Sequence, residues 1–288
     1  MTFTAQQKPG LRTIRIAVLM TCYNRREKTL ACLRALKKAA KAAAGISDTD
    51  VYLVDDGCTD GTAEAVRHSF PNVQIVAGTG SLYWCGGMRL AWREAAKSRY
   101  DAYVWLNDDV ILREEALTSL LDALERQKQA TGAYGIVVGS MVNSDGTKVT
   151  YGAVNKKGPI EPPREPLPVT HFNGNLVLVS AEAFDMLGNL SSWYRHGFGD
   201  IDYGCRAKSA GVPVWGAAGY AGVCDANPPP RWFSPKVSLW NRLKALHAPT
   251  GCPPWELARC LYVYGAWWAP WVIAKMYWKT FFPKGGEP

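Results

Sequence analysis

Short apolar runs alternate with stretches of helical spacing through the first half of the chain. "IRIAVLM" (14–20), "VYLVDDG" (51–57), "VQIV" (73–76) and "AYVWL" (102–106) read as strands. Between them, residues 26–44, 62–70 and 86–98 place apolar side chains near helical spacing. Gly45 offers the first helix a C-cap, and Pro71 stops the second. A βαβαβαβ order of this kind predicts an α/β fold, with a mostly parallel sheet covered by helices on both faces.

The rhythm changes after a helix expected over 114–129. Strands at 135–142 and 174–179 flank "NKKGPIEPPREPLP" (155–168), whose five prolines predict a mobile loop. Ser180 should cap a helix over 180–188, and a helix over 200–211 should end at Gly211. "NPPPRWFSP" (227–235) then separates the sheet domain from the tail. The expected division is a catalytic domain over 1–226, with halves of about 14–110 and 111–226, and a helical region over 227–288.

Two predicted strands end in acids: Asp55 and Asp56, then Asn107, Asp108 and Asp109. Adjacent carboxylates beside a core repel one another and lose hydration unless a cation or donors meet them. Ligands of open parallel sheets bind at the carboxyl ends of the strands. A hard cation such as Mg²⁺ or Mn²⁺ needs few carboxylates when diphosphate oxygens and water complete its shell. The acid clusters therefore point to a metal–diphosphate site.

Charge changes the picture at the C-terminus. The chain of 288 residues carries a formal +8, of which +6 lies in residues 227–288, together with seven of the twelve tryptophans. "CLYVYGAWWAPWVIA" (260–274) is uncharged, but it is too short to span a bilayer and Pro270 interrupts it. Basic residues mixed with Trp predict an amphipathic segment on an anionic membrane surface. Packing on the sheet domain, or on a second subunit as a homodimer, is the alternative. No nucleic-acid motif is present. Eight cysteines without a C-x-x-C pair predict reduced thiols in a cytosolic protein. The N-terminus lacks the pattern of a signal peptide.

"VLMTCYNRREKTLACLRAL", "VYLVDDGCTDGTAEAV", "WLNDDVIL", "FNGNLVLVSAEAF" and "GFGDIDYGCRAKSAG" follow one another in that order. Together they resemble family 2 glycosyltransferases of the GT-A fold, especially rhamnosyltransferase- and galactofuranosyltransferase-like enzymes of bacterial surface polysaccharides. The resemblance covers about residues 14 to 225. It implies a Rossmann-like catalytic domain followed here by the basic, Trp-rich appendage. It also implies that Thr21, Tyr23, Asn24, Asp55 and Asp56 hold the nucleotide, and that Gly86, Gly87 and Arg89 approach the donor. Asn107, Asp108 and Asp109 match the metal motif, with Asn107 and Asp108 facing the donor and Asp109 holding Mg²⁺ or Mn²⁺. Asp200 matches the catalytic base, with Asp202 in reserve and Gly199 in place of a preceding acid. Cys224 and Asp225 stand where the family often carries His-His, so Asp225 is a further metal candidate. His171, His196 and His247 are structural or acceptor-facing candidates.

The implied reaction is an inverting displacement from a UDP- or dTDP-sugar to a hydroxyl of a glycan or lipid-linked glycan. The implied location is the inner face of the cytoplasmic membrane. A nucleotidyltransferase and an inactive nucleotide-sugar-binding module remain alternatives. "TCYNRREK" lacks the Gly-rich signature of the first, and retention of both Asp109 and Asp200 disfavours the second.

Overall fold

The computed structural model describes residues 13–265 and 267–283. In chain order the first half contains β1 (Ile14–Cys22), α1 (Arg26–Ala42), β2 (Ile46–Asp55), α2 (Thr62–Ser69), β3 (Gln74–Ala77), α3 (Tyr83–Ala95) and β4 (Ala102–Leu106). There follow β5 (Ile111–Leu112), α4 (Ala116–Thr131), β6 (Ile136–Val142), β7 (Val149–Tyr151), β8 (Ala153–Asn155), β9 (Gly158–Pro159) and β10 (Leu167–Pro168). The second half closes with β11 (His171–Phe172), β12 (Leu176–Ser180), α5 (Ala181–Leu187), α6 (Gly199–Ser209) and β13 (Val214–Val223). Helices α7 (Leu239–His247), α8 (Pro254–Val263) and α9 (Ala269–Phe281) form the C-terminal region.

The main sheet runs β10-β13-β6-β12-β4-β1-β2-β3. Strands β3, β2, β1 and β4 are mutually parallel, while β12 enters antiparallel between β4 and β6. Side chains alternate along β1 as a strand requires. Ile16, Val18 and Met20 face a core layer with Leu33 of α1 and Leu117 of α4. Ala17 and Leu19 face the other layer, with Met88 and Trp92 of α3. Burial on both faces explains the unbroken apolar run of β1.

The second layer is unusually aromatic. Trp92 stacks on Phe184 at 4.9 Å between ring centroids, and Trp105 meets Tyr203 edge-on at 5.1 Å. This cluster pins α3, β4, α5 and α6 to one another. The helix expected at 180–188 begins under its Ser180 cap, whose hydroxyl accepts the Ala183 N–H at 3.0 Å. Elsewhere the boundaries shift by a few residues, and β2 starts earlier, at Ile46.

Residues 155–168 are not the unstructured loop that their prolines predicted. β9 pairs with β8, and β10 adds to the edge of β13. Pro159 and Pro168 sit at strand positions on sheet edges, where a missing N–H costs nothing.

The C-terminal helices pack against each other and against the catalytic half. The buried Arg242 of α7 donates to the carbonyls of Thr280 at 2.8 Å and Val237 at 2.8 Å. Glu256 of α8 is fully buried and pairs with Arg195 at 2.9 Å. The Tyr264 hydroxyl donates to Asp202 at 2.8 Å.

Candidate active site

A cleft of about 530 Å³ opens at the carboxyl ends of β1 and β4. Its lining includes Thr21, Tyr23, Arg25, Asp108, Asp109 and Asp200. A larger cavity of about 1000 Å³ lies at the opposite end of the sheet, beside Ile14, Gly45 and Ser180. The strand-end rule and the convergent acids favour the smaller cleft.

The pairing of β12 with β4 builds its floor. Leu176 lies opposite Leu106, so the Asn107 N–H donates to the Asn175 carbonyl at 3.0 Å. The Asn107 side chain accepts the Trp84 indole N–H at 2.7 Å, which fixes it against α3. Its carboxamide therefore does structural duty as well as facing the cleft.

Asp108 and Asp109 meet one guanidinium. Arg25 Nη1 lies 3.0 Å from Asp108 Oδ1 and 2.8 Å from Asp109 Oδ2. Asp108 is the more buried, and loss of hydration pushes its carboxyl up to about 6, against the pull of Arg25 and with the push of Asp109. The Cys224 thiol reaches Asp109 Oδ1 at 3.7 Å. Hard oxygen donors held side by side, balanced by one cationic side chain, fit a divalent cation of the Mg²⁺ or Mn²⁺ class.

Asp200 also lines the cleft, at the start of α6. Its oxygens accept the N–H groups of Gly174 at 3.0 Å and Ile201 at 2.9 Å. Burial raises its pKa above the ordinary carboxylate value, and the two N–H donors oppose that rise. Gly174 is required here, because a Cβ would lie 2.6 Å from the Trp84 ring and 3.4 Å from Asp200 Cβ. Gly199 is equally constrained: a Cβ would lie 2.5 Å from Cys85 Sγ, so no acid fits before Asp200.

Several expected residues also hold the loops around the cleft in place. Asp56 is buried, and its carboxylate accepts the N–H groups of Gly80, Leu82 and Tyr83, anchoring the entry to α3. Asp55 ends β2 just beyond the cleft lining and accepts the Cys58 N–H at 2.7 Å. Asn24, with φ of 51°, accepts the Thr59 N–H at 2.7 Å and joins the β1–α1 and β2–α2 loops. Tyr23 presents an exposed ring at the mouth.

Four expectations are corrected. Gly86 and Gly87 are buried in α3 and serve packing rather than approach to a donor; a Cβ at Gly87 would sit 2.2 Å from Thr21 Oγ1. Arg89 donates to the carbonyls of Ser191 and Tyr194, so its charge is spent inside the protein. Asp202 lies outside the cleft lining, paired with Arg206 at 2.9 Å and held by Tyr264. Asp225 accepts the Ser144 N–H at 2.8 Å outside the lining, and Cys224 is the residue at that turn that touches Asp109.

Arg25 was unassigned in the sequence, although it directly follows the Thr21–Asn24 loop. Trp84 and Asn173 were also missed. His196 lines the cleft edge-on to Tyr83, at 6.4 Å between centroids. Burial, then the charge of Arg25, lowers its pKa.

The mixed, mostly parallel sheet with its cleft at the strand ends is of the GT-A type. The chain belongs to glycosyl transferase family 2, whose model matches residues 17–187. It is 27% identical over 191 residues to N-acetylglucosaminyl-diphospho-decaprenol L-rhamnosyltransferase of Mycobacterium tuberculosis, in strains CDC 1551 / Oshkosh and ATCC 25618 / H37Rv. That match covers 56% of this chain and 61% of the relative, so the chain spans about three fifths of the relatives' length. The fold is similar to that of the mannosyltransferase PcManGT from Pyrobaculum calidifontis in complex with GDP-Man and Mn²⁺, at a TM-score of 0.54 and 16% identity, covering 94% of this chain and 81% of that one. It is also similar to S. aureus TarS 1–349 in complex with UDP-GlcNAc, at a TM-score of 0.57 and 14% identity, covering 93% and 72%.

Gly174→Ala tests the geometry of the cleft. The added methyl must displace Trp84 and with it the bond to Asn107. Overpacking of this kind costs about 1–3 kcal/mol. Turnover of a nucleotide sugar should fall further than the drop in melting temperature explains. Unchanged turnover would show that the Trp84–Asn107 contact does not matter.

Proposed function

We propose that this glycosyltransferase moves a hexosyl or deoxyhexosyl unit, with inversion, from a nucleoside-diphosphate sugar to a hydroxyl of a lipid-linked or polysaccharide acceptor in bacterial surface-glycan synthesis. The observation that carries the reading is that Asp200 and the Arg25–Asp108–Asp109 cluster line one cleft. The mycobacterial relative's name, with a rhamnosyl donor and a lipid diphosphate acceptor, supports a deoxysugar and a lipid-linked partner.

Tyr23, Asn24 and Asp55 border the nucleotide's end of the cleft. Asp109, with Asp108 beside it, would hold the divalent cation, which when bound offsets charge on the diphosphate. Arg25 then has a new role. Its guanidinium, part-exposed, is free to turn from the carboxylates to the departing phosphate. Asp200 is oriented by the Gly174 and Ile201 N–H groups and takes the acceptor's proton as its oxygen attacks the anomeric carbon. One in-line displacement inverts the centre, without a covalent sugar–enzyme intermediate.

A panel of UDP-, dTDP- and GDP-sugars, assayed with and without Mn²⁺, tests donor use. One nucleotide should raise the melting temperature only with metal present, and Asp109→Ala should abolish that rise and turnover together. Full activity in EDTA would refute the metal assignment. Nucleotide binding without transfer or hydrolysis would favour an inactive binding module.

Asp200→Asn keeps the shape and removes the base, so turnover should fall about 10²–10⁴-fold while donor binding survives. The raised pKa has a definite sign. Activity should be lost on acidification, with an acid limb above the ordinary carboxylate value of 3.8. A wild-type limb at or below that value would overturn the assignment, as would an active Asp200→Asn.

Residues 227–288 form the membrane-facing region in this reading, on the inner leaflet beside the acceptor. Among the described residues no helix is long and apolar enough to cross a membrane. Trp240, Trp267, Trp271 and Trp278 are each more than 60% exposed, and Tyr262 is 82% exposed. Lys275 and Lys279 share α9 with two of these rings. Aromatic rings seat in the headgroup region, and each basic residue near an anionic leaflet contributes about 1 kcal/mol. The protein should float with anionic vesicles more than with neutral ones, and salt should weaken the association. Flotation blind to both would refute the electrostatic part; a concentration-dependent dimer without flotation would assign the surface to a second copy.

A further inference from the structure

Beneath the Tyr23–Asn24 loop, Cys22, Asp55 and Cys58 converge. Their ligating atoms all lie within 4.8 Å of one another. They come from three places: the end of β1, the end of β2, and the turn that follows β2. Pairing of the parallel strands sets Cys22 opposite Asp55. Gly57, at φ of 85°, then turns the chain so that Cys58 folds back over Asp55.

We propose that these three residues form a binding site for a thiophilic divalent cation, Zn²⁺ by its chemistry, separate from the Asp109 site. The Cys22 and Cys58 sulfurs are 3.8 Å apart. Two Zn–S bonds of about 2.3 Å meeting at the tetrahedral angle require about 3.8 Å, so the thiols need not move apart to admit the ion. Asp55 accepts the Cys58 N–H at Oδ1 and also interacts with the Cys58 thiol, so its carboxylate already meets the sulfur whose proton the ion would replace. The Asn24 N–H already points at Cys58 Sγ, 3.2 Å away, and is placed to support a thiolate there. Two thiols and one carboxylate select Zn²⁺ over Mg²⁺ or Mn²⁺, which prefer all-oxygen shells.

Binding forms two Zn–S bonds and one Zn–O bond, and the two thiol protons leave to solvent. Three protein ligands leave water to complete a tetrahedral shell. The ion would staple the β1–α1 loop to the β2–α2 loop. The role is structural, and Zn²⁺ should raise the melting temperature by mass action.

The full chain, reduced and stripped with a chelator, is titrated with Co²⁺ as a spectroscopic stand-in. A near-ultraviolet thiolate-to-cobalt band should saturate at one equivalent and be displaced by Zn²⁺. Cys58→Ser should weaken the band and shift it, and Cys22→Ser with Cys58→Ser should abolish it. Should the double variant fold poorly, Cys58→Ser and Asp55→Asn, each altering a half-exposed position, carry the test. The band should survive Asp109→Ala, which separates this site from the catalytic cation. Absence of the band in the wild type, or its persistence without both thiols, overturns the proposal. So does a melting temperature that Zn²⁺ leaves unchanged in the wild type.

Discussion

Two carboxylates side by side at the end of a buried strand need a counter-charge, and much of the molecule is arranged around that need. Asp108 and Asp109 cannot retreat into solvent, because β4 is buried along its whole length and fixes their origin. Arg25 supplies the balancing charge from the loop after β1, which is parallel to and hydrogen-bonded with β4. The cleft thus holds a cation-shaped demand before any ligand arrives. In the proposed function a diphosphate brings negative charge and would enter with its own cation, so that the acids and the donor would solve each other's electrostatic problem.

The wall at Asp200 is built by exclusion of volume rather than by charge. Glycines at 174 and 199 let Trp84 and Cys85 of α3 approach the turn that carries Asp200. Asp200 is therefore set by the aromatic packing of α3 against β4 and α6. The loops after β1 and β2 are set by hydrogen bonds, through Asn24, Asp55 and Asp56. The two sides of the cleft rest on different physics.

This division explains what was legible in the sequence. The strands and helices of the first half were readable because β1 and β4 carry unbroken apolar runs and α1 carries clear helical spacing. The strand-end acids were readable because polar residues interrupt those runs. Residues 155–168 were not, since edge pairing of Pro159 and Pro168 leaves no apolar signature. Asp202 was ambiguous because two acids in the first turn of a helix look alike until Tyr264, distant in sequence, claims one of them. Arg89 was expected to be the phosphate contact and Arg25 was given no role, although nothing in the sequence separates the two. Only the fold shows that carbonyls of the 191–194 segment absorb the first and leave the second in the cleft.

The pairing of the buried Glu256 with the part-exposed Arg195 gives the chain a property that a linear domain map conceals. Arg195 lies beside His196 in the segment that leads to Asp200, and its carbonyl accepts the Cys85 N–H at 3.0 Å. Glu256 accepts from both the side chain and the backbone N–H of Arg195. Residues after 227 are consequently tied into the sheet domain. Exchanging them for another anchor would remove these bonds and loosen the segment that leads to Asp200. Engineering new membrane affinity or new acceptor reach into this scaffold must keep the inner face of α8 and vary only its outward aromatic positions.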